Sequence, residues 1–130
     1  MTELELADAA KNLFTSSAFP VYDGDAPDEA PARYCSLYTD AGQMQRDRYV
    51  TAAGTLVWGF QVVCVATTED GLRALVSQVR SLCEGKYLGP VSSDPVREVA
   101  AGPRLSAGPV GDKRVSTTLI YQTHQARSIA

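Results

Sequence analysis

The chain has 130 residues, of which 45% are hydrophobic and 21% are charged, and its formal net charge is -3. This length and composition are typical of a single globular domain with its own hydrophobic core, and they exclude a disordered protein. The acidic balance argues against a free-standing nucleic-acid binder, which needs a basic surface to contact phosphate. No apolar run approaches the roughly 18 residues that a membrane-spanning helix needs.

The N-terminus and the cysteines indicate a protein that is made in the cytosol. Met1–Glu5 is acidic, whereas a signal peptide begins with basic residues. Cys35, Cys64 and Cys83 are odd in number, form no CxxC pair and lie in apolar surroundings, which predicts buried, reduced thiols. A zinc site would need closer ligand spacing and more than one histidine. We therefore expect no metal and no cofactor.

The first half of the chain predicts a helix, an extended segment and a strand before a long loop. Apolar residues recur every three or four positions over 3–14, which predicts a helix with one apolar face. Residues 19–22 contain a proline and are predicted to be extended. Residues 33–39 are rich in aromatic residues and predict a strand. Residues 40–54 then lose hydrophobic periodicity, so they predict a polar loop longer than compact domains usually contain.

The second half predicts the strongest strand and the second helix. Residues 55–66 are apolar on both faces apart from one glutamine, which predicts a central strand. Residues 67–70 supply hydroxyl caps and acids for a helix start, and Gly85 is a plausible stop for that helix. Two more strands are predicted over 96–99 and 113–123.

Together these elements predict an α+β fold in which residues 1–130 form a single domain. We expect an antiparallel or mixed sheet of about four to five strands, with two main helices packed on one face.

The sequence predicts no catalytic apparatus. His124 is the only histidine, and neither a GxSxG turn nor a motif for Cys–His catalysis accompanies it. The acidic segment 23–29 could begin a twelve-residue EF-hand calcium loop at Asp23. Such a loop needs an oxygen ligand where Pro27 stands, glycine where Asp28 stands and glutamate where Tyr34 stands, so the sequence does not fit it. We therefore expect a protein that is not an enzyme.

The polar loop carries the candidate contact residues. Gln43, Arg46, Arg48 and Tyr49 form a small basic and aromatic group, and arginine and tyrosine are enriched at protein interfaces. One hypothesis is a protein interface that is mobile in the free subunit and orders on assembly. The alternative, a solvated loop without a partner, remains open.

Several segments of the chain resemble a known family. They are Val-Tyr-Asp-Gly at 21–24 with a proline soon after, Pro-Ala-Arg-Tyr-Cys-Ser-Leu-Tyr-Thr-Asp-Ala-Gly at 31–42, Phe-Gln-Val-Val-Cys-Val-Ala at 60–66 and the helix start at 67–70. With the N-terminal helix, this succession resembles the tail terminator proteins of long-tailed bacteriophages, and most of all those of phages that infect actinobacteria.

The resemblance implies a structural virion protein that assembles in the host cytoplasm. Such a protein forms a homo-oligomeric ring, six-membered in this family, on the head-proximal end of the tail tube. The ring contacts the tail tube protein and the head-completion or neck protein, ends tube polymerisation and lets DNA pass without specific binding. The family has no catalytic residues and no membrane partner. A head-completion or neck connector protein of the same virion, and a cytosolic ligand-binding or enzymatic α+β domain, are the alternatives.

Overall fold

The computed structural model describes residues 3–26, 31–39, 43–46, 54–88, 95–107 and 114–126. Two helices and seven strands lie within these ranges. In chain order they are α1 (Glu3–Asn12), β1 (Val21–Asp23), β2 (Arg33–Thr39), β3 (Gln43–Arg46), β4 (Gly54–Ala66), α2 (Glu69–Cys83), β5 (Arg97–Ala101), β6 (Leu105–Ala107) and β7 (Arg114–Ala126). The predicted α+β class is confirmed, but the sheet has more than the four to five strands expected.

All seven strands belong to one mixed sheet. Its order is β1-β2-β4-β7-β5, with β3 paired to β4 and β6 paired to β7. The pairing of β1 with β2 is parallel, and all the other pairings are antiparallel. The two longest strands, β4 and β7, pair from Thr55–Ala126 to Ala66–Val115, so β4 is central as predicted.

The polar segment 40–54 is not a single loop. Its residues 43–46 form β3, which pairs with β4 from Gln43–Val57 to Arg46–Gly54. Since β7 occupies one edge of β4, β2 and β3 lie end to end along the other edge. Pairing with an extended neighbour satisfies the backbone groups of β3, although its own residues show no strand pattern. The prediction of a loop was wrong for residues 43–46; residues 40–42 and 47–53 lie outside the described residues.

Both helices pack on the same face of the sheet. The side chains of β4 that point to this face are Trp58, Phe60, Val62, Cys64 and Ala66, and all are buried. They share one core cluster with apolar residues of α1 and α2, namely Leu6, Ala10, Leu72, Leu75, Val79 and Cys83. This burial follows from the strand period of two and the helical spacing of the apolar residues.

The two ends of α2 show the N-terminal cap and the C-terminal glycine that the sequence predicts. The Thr68 hydroxyl accepts a hydrogen bond of 3.1 Å from the Gly71 amide and caps the N-terminus. Just beyond the C-terminus, Gly85 has φ +75°, a left-handed conformation that favours glycine. Within the described ranges, neither helix is long and apolar enough to cross a membrane.

Candidate assembly surface

The sheet face opposite the helices is the candidate functional surface, here called the open face. In the strand register its residues alternate with those of the core. The described members from β1, β2, β4 and β7 are Tyr22, Tyr34, Ser36, Tyr38, Gly59, Gln61, Val63, Val65, Ser116, Thr118, Ile120 and Gln122. Most are only partly buried, because both described helices lie on the other side.

The middle of the open face is uncharged. Its members are tyrosines, hydroxyl and amide residues, and partly buried aliphatic residues such as Val63 and Ile120. Charge appears at the margins: Arg97 on β5 pairs with Gln122, and Arg114 donates a hydrogen bond of 2.7 Å to the Pro31 carbonyl, with its guanidinium 5.8 Å from the Tyr34 ring centre. A neutral face of this kind can lie beside a polyanion without binding phosphate strongly.

A shallow cavity of about 290 Å³ opens around Gly59. Gly59 pairs with Gln122, and the absence of a side chain leaves a gap beside Gln61 and Ile120. At the rim, the Tyr38 hydroxyl donates a 2.7 Å hydrogen bond to Asp25 Oδ1, which raises the pKa of Tyr38. The cavity brings together aromatic, aliphatic and amide groups, and it holds no pairing of nucleophile and base.

A larger groove of about 510 Å³ lies between α2 and the segment 102–104. Its three arginines are each held by a carboxylate: Arg73 Nη1 lies 2.9 Å from Asp70 Oδ1, Arg80 Nε lies 2.8 Å from Glu98 Oε1, and Arg104 contacts Glu69. A ligand site needs a few polar groups aimed at the ligand. Here the three arginines and their carboxylates are paired with one another, which does not favour the ligand-binding or enzymatic alternative.

The structure places two of the four predicted contact residues. Gln43 and Arg46 are the first and last residues of β3; Arg48 and Tyr49 lie outside the described residues. In the register Gln43 is the partner of Val57, and Arg46 is the partner of Gly54.

Sequence reasoning did not find the open face. Its signals were Gln61, the single polar residue on the second face of an otherwise apolar strand, and the alternation of Ser116, Thr118 and Gln122 with apolar residues in the last strand. At the far end of β7, His124 pairs with Val57 in the register. Over the described part of the chain, no three histidine, cysteine or acidic residues come together as metal ligands.

The described elements define a two-layer α+β domain, with helices on one face of a mixed sheet and the other face open. The same fold is found in a chain of a solved structure entitled "Virion of native gene transfer agent (GTA) particle". The two chains are similar with a TM-score of 0.62 and 13% sequence identity, over 96% of this chain and 94% of the other. At this identity the likeness is one of fold. No family model and no curated protein sequence matches the chain.

Proposed function

We propose that this chain is a structural protein of a phage-like virion, and that within the virion it is the tail terminator. The observation that carries the virion role is the fold shared with a chain of a gene transfer agent virion over 96% of this chain. The resemblance of segments 21–24, 31–42 and 60–66 to tail terminators supports the position at the head-proximal end of the tail tube.

The proposed oligomer is a six-membered ring with different patches of each subunit meeting head to tail. The edge strands of the described sheet are more compatible with a closed ring than with an open-ended assembly built by strand pairing. At one edge β1 has only three residues, and at the other β5 has a bulge between Glu98 and Ala100. Short and bulged edge strands discourage continued strand-to-strand pairing.

The open face is the surface we assign to the central channel. Six copies would line the channel with hydroxyl, amide and aromatic groups, and Ser116, Thr118 and Gln122 would be among them. Apart from Arg97 and Arg114 at its margins, such a lining contributes no cations for phosphate to bind, so DNA could pass without being held strongly. The helices would then lie on the outside of the ring.

The end of the sheet formed by β3, Gly54–Val57 and the last residues of β7 is the proposed contact with a neighbouring ring. Three strands end together there, because β3 and β7 flank the same part of β4. A paired sheet end is a firmer platform for contacts than a free loop, since less conformational entropy is lost when it binds.

Binding to isolated virion parts tests the proposed position. We expect the purified chain to bind isolated tails that were assembled without it, and to elute from them as a ring of about six times 13.9 kDa. Binding to filled heads but not to tails would favour a head-completion or neck protein. Binding to neither would contradict the proposal.

The double substitution Arg46→Ala/Arg48→Ala should weaken binding to tails by about 1–3 kcal/mol, or about 5-fold to 150-fold in the dissociation constant. The expected loss is that of two arginines buried against a neighbouring ring. Titration of isolated tails with purified protein measures it. Arg73→Ala/Arg97→Ala removes the same charge from α2 and β5 and should bind as the wild type does. Equal losses in both variants would show a general charge effect and no local contact.

A further inference from the structure

Two of the three cysteines face each other across neighbouring strands. Cys35 on β2 and Cys64 on β4 are partners in the register, and both are completely buried. Their sulfur atoms lie 3.7 Å apart, which is a contact between two free thiols. A disulfide bond is about 2.05 Å long, so bonding would require a small movement of the two side chains.

The backbone around this pair favours a disulfide. The Cys35 amide donates a 3.0 Å hydrogen bond to the Pro20 carbonyl, and the Leu37 carbonyl accepts a 2.9 Å bond from the Gly24 amide. Both groups therefore point toward β1 and away from β4, which makes Cys35–Cys64 a non-hydrogen-bonded pair of the β2–β4 ladder. In such pairs the Cα atoms are about 4.5 Å apart, within the range of about 4.4–6.8 Å that disulfides span.

The third cysteine has a different setting. Cys83 lies at the C-terminal end of α2, on the other layer of the fold, and is not a strand partner of either cysteine. Burial raises the pKa of the Cys83 thiol to about 12. The hydrogen bond of the Cys35 thiol with Cys64, together with burial, raises the pKa of the Cys35 thiol as well. At neutral pH these thiols stay protonated, so oxidation of the closed protein should be slow.

We propose that Cys35 and Cys64 are a dithiol–disulfide site that is reduced in the cytosol and oxidises once the protein is exposed to a peroxide outside it. One thiol first loses its proton, and the resulting thiolate attacks hydrogen peroxide; the O–O bond breaks, a sulfenic acid forms, and the leaving hydroxide takes up that proton to give water. The second sulfur then attacks the sulfenic sulfur, the S–O bond breaks, and a second water leaves. Two thiols and one peroxide thus give one disulfide and two water molecules, with two electrons passing from sulfur to oxygen.

The crosslink would tie β2 to the central strand β4. It closes the segment 36–63 into a loop, and a loop of this length restricts the unfolded chain enough to raise the melting temperature by about 10 °C. Redox conditions suit the two states, since dithiols persist in the cytosol and disulfides persist outside it. The site does not depend on the proposed place of the chain in a virion.

Thiol titration in denaturant, intact mass and peptide mapping test this site. Protein purified under reducing conditions should show three thiols. After incubation of the folded protein with hydrogen peroxide, we expect one thiol, a mass lower by two hydrogen atoms, a Cys35–Cys64 crosslinked peptide and a melting temperature higher by about 10 °C. Dithiothreitol should reverse all four changes.

Two variants separate the pair from the third cysteine. Cys83→Ala should keep the peroxide-dependent rise in melting temperature, and Cys35→Ala should lose it. Three thiols after peroxide treatment, added oxygen on the cysteines without a crosslink, or a crosslink that includes Cys83 would each overturn the proposal. Peptide mapping of the wild-type protein decides the matter even if a variant does not fold.

Discussion

Replacing Phe60 by alanine should lower the free energy of unfolding by about 3–5 kcal/mol. Phe60 is 1% exposed at the middle of the central strand β4. Its ring lies between two other buried aromatic rings, 5.3 Å from the stacked ring of Tyr121 and 5.8 Å from that of Trp58 between centroids. The substitution removes the transfer free energy of the ring and leaves a cavity that β4 cannot close, since β2 and β7 hold it on both sides.

Urea denaturation followed by circular dichroism measures this loss. Domains of this size are stable by only about 5–15 kcal/mol, so the variant should unfold at much lower urea concentration. Tyr87→Ala is the matched control, because Tyr87 is also aromatic but is 49% exposed; it should cost less than about 0.5 kcal/mol. A loss below about 1 kcal/mol for Phe60→Ala would show that the contacts of the Phe60 ring with Trp58 and Tyr121 contribute little to the stability of this core.

The elements with strong periodicity could be predicted from the sequence. The strand predicted over 33–39 is β2, and the strand predicted over 55–66 is β4 with one more residue. For α2 the apolar stripe and the Thr68 cap both carry local information, so its start was found within a residue or two. The predicted helix over 3–14 ends earlier, at Asn12, where the chain continues in turns with hydrogen bonds such as Phe14 N–H to the Lys11 carbonyl.

The short strands could not be predicted, because they form only by pairing with a longer strand. Strand β3 reads Gln-Met-Gln-Arg and β6 reads Leu-Ser-Ala, and both are too short for alternation to stand out from the surrounding sequence. Each pairs with a thirteen-residue strand that offers free backbone groups beyond its longer neighbour. The stabilisation comes from the ladder and from the strand beside it, which are tertiary features. This is why the sheet was expected to be smaller than it is.

The candidate surface was only partly accessible to sequence reasoning for the same reason. Composition drew attention to the polar residues Gln43 and Arg46, but the strand that contains them exists only once β3 has paired with β4. The open face could not be predicted from β4, because Val63 and Val65 are aliphatic and therefore indicate a buried face when only the sequence is considered. They are only partly buried, and the described helices pack on the opposite face.

Particles made without this protein should carry tails that exceed their normal length and are not joined to heads. A tube of stacked rings presents the same growing face after every addition, so nothing in the tube subunit ends growth. Termination needs a ring that binds this face at least as well as another tube ring does and then presents a different surface. A subunit with helices on one side of its sheet and, on the other, an open face whose middle is uncharged can form such a ring without any chemical step.

Electron microscopy of a deletion lysate measures tail length and joining directly. Supplying the wild-type protein while the tails assemble should restore both, and the Arg46→Ala/Arg48→Ala variant should need about 5 to 150 times more protein to do so. Normal-length tails joined to heads would contradict the terminator function, and normal-length tails left unjoined would favour a neck protein. The two defects arise from one cause, because a tail that never receives its last ring also lacks the surface to which the head binds. A lysate with overlong tails that still join heads would therefore separate termination from joining, and would assign this chain to termination alone.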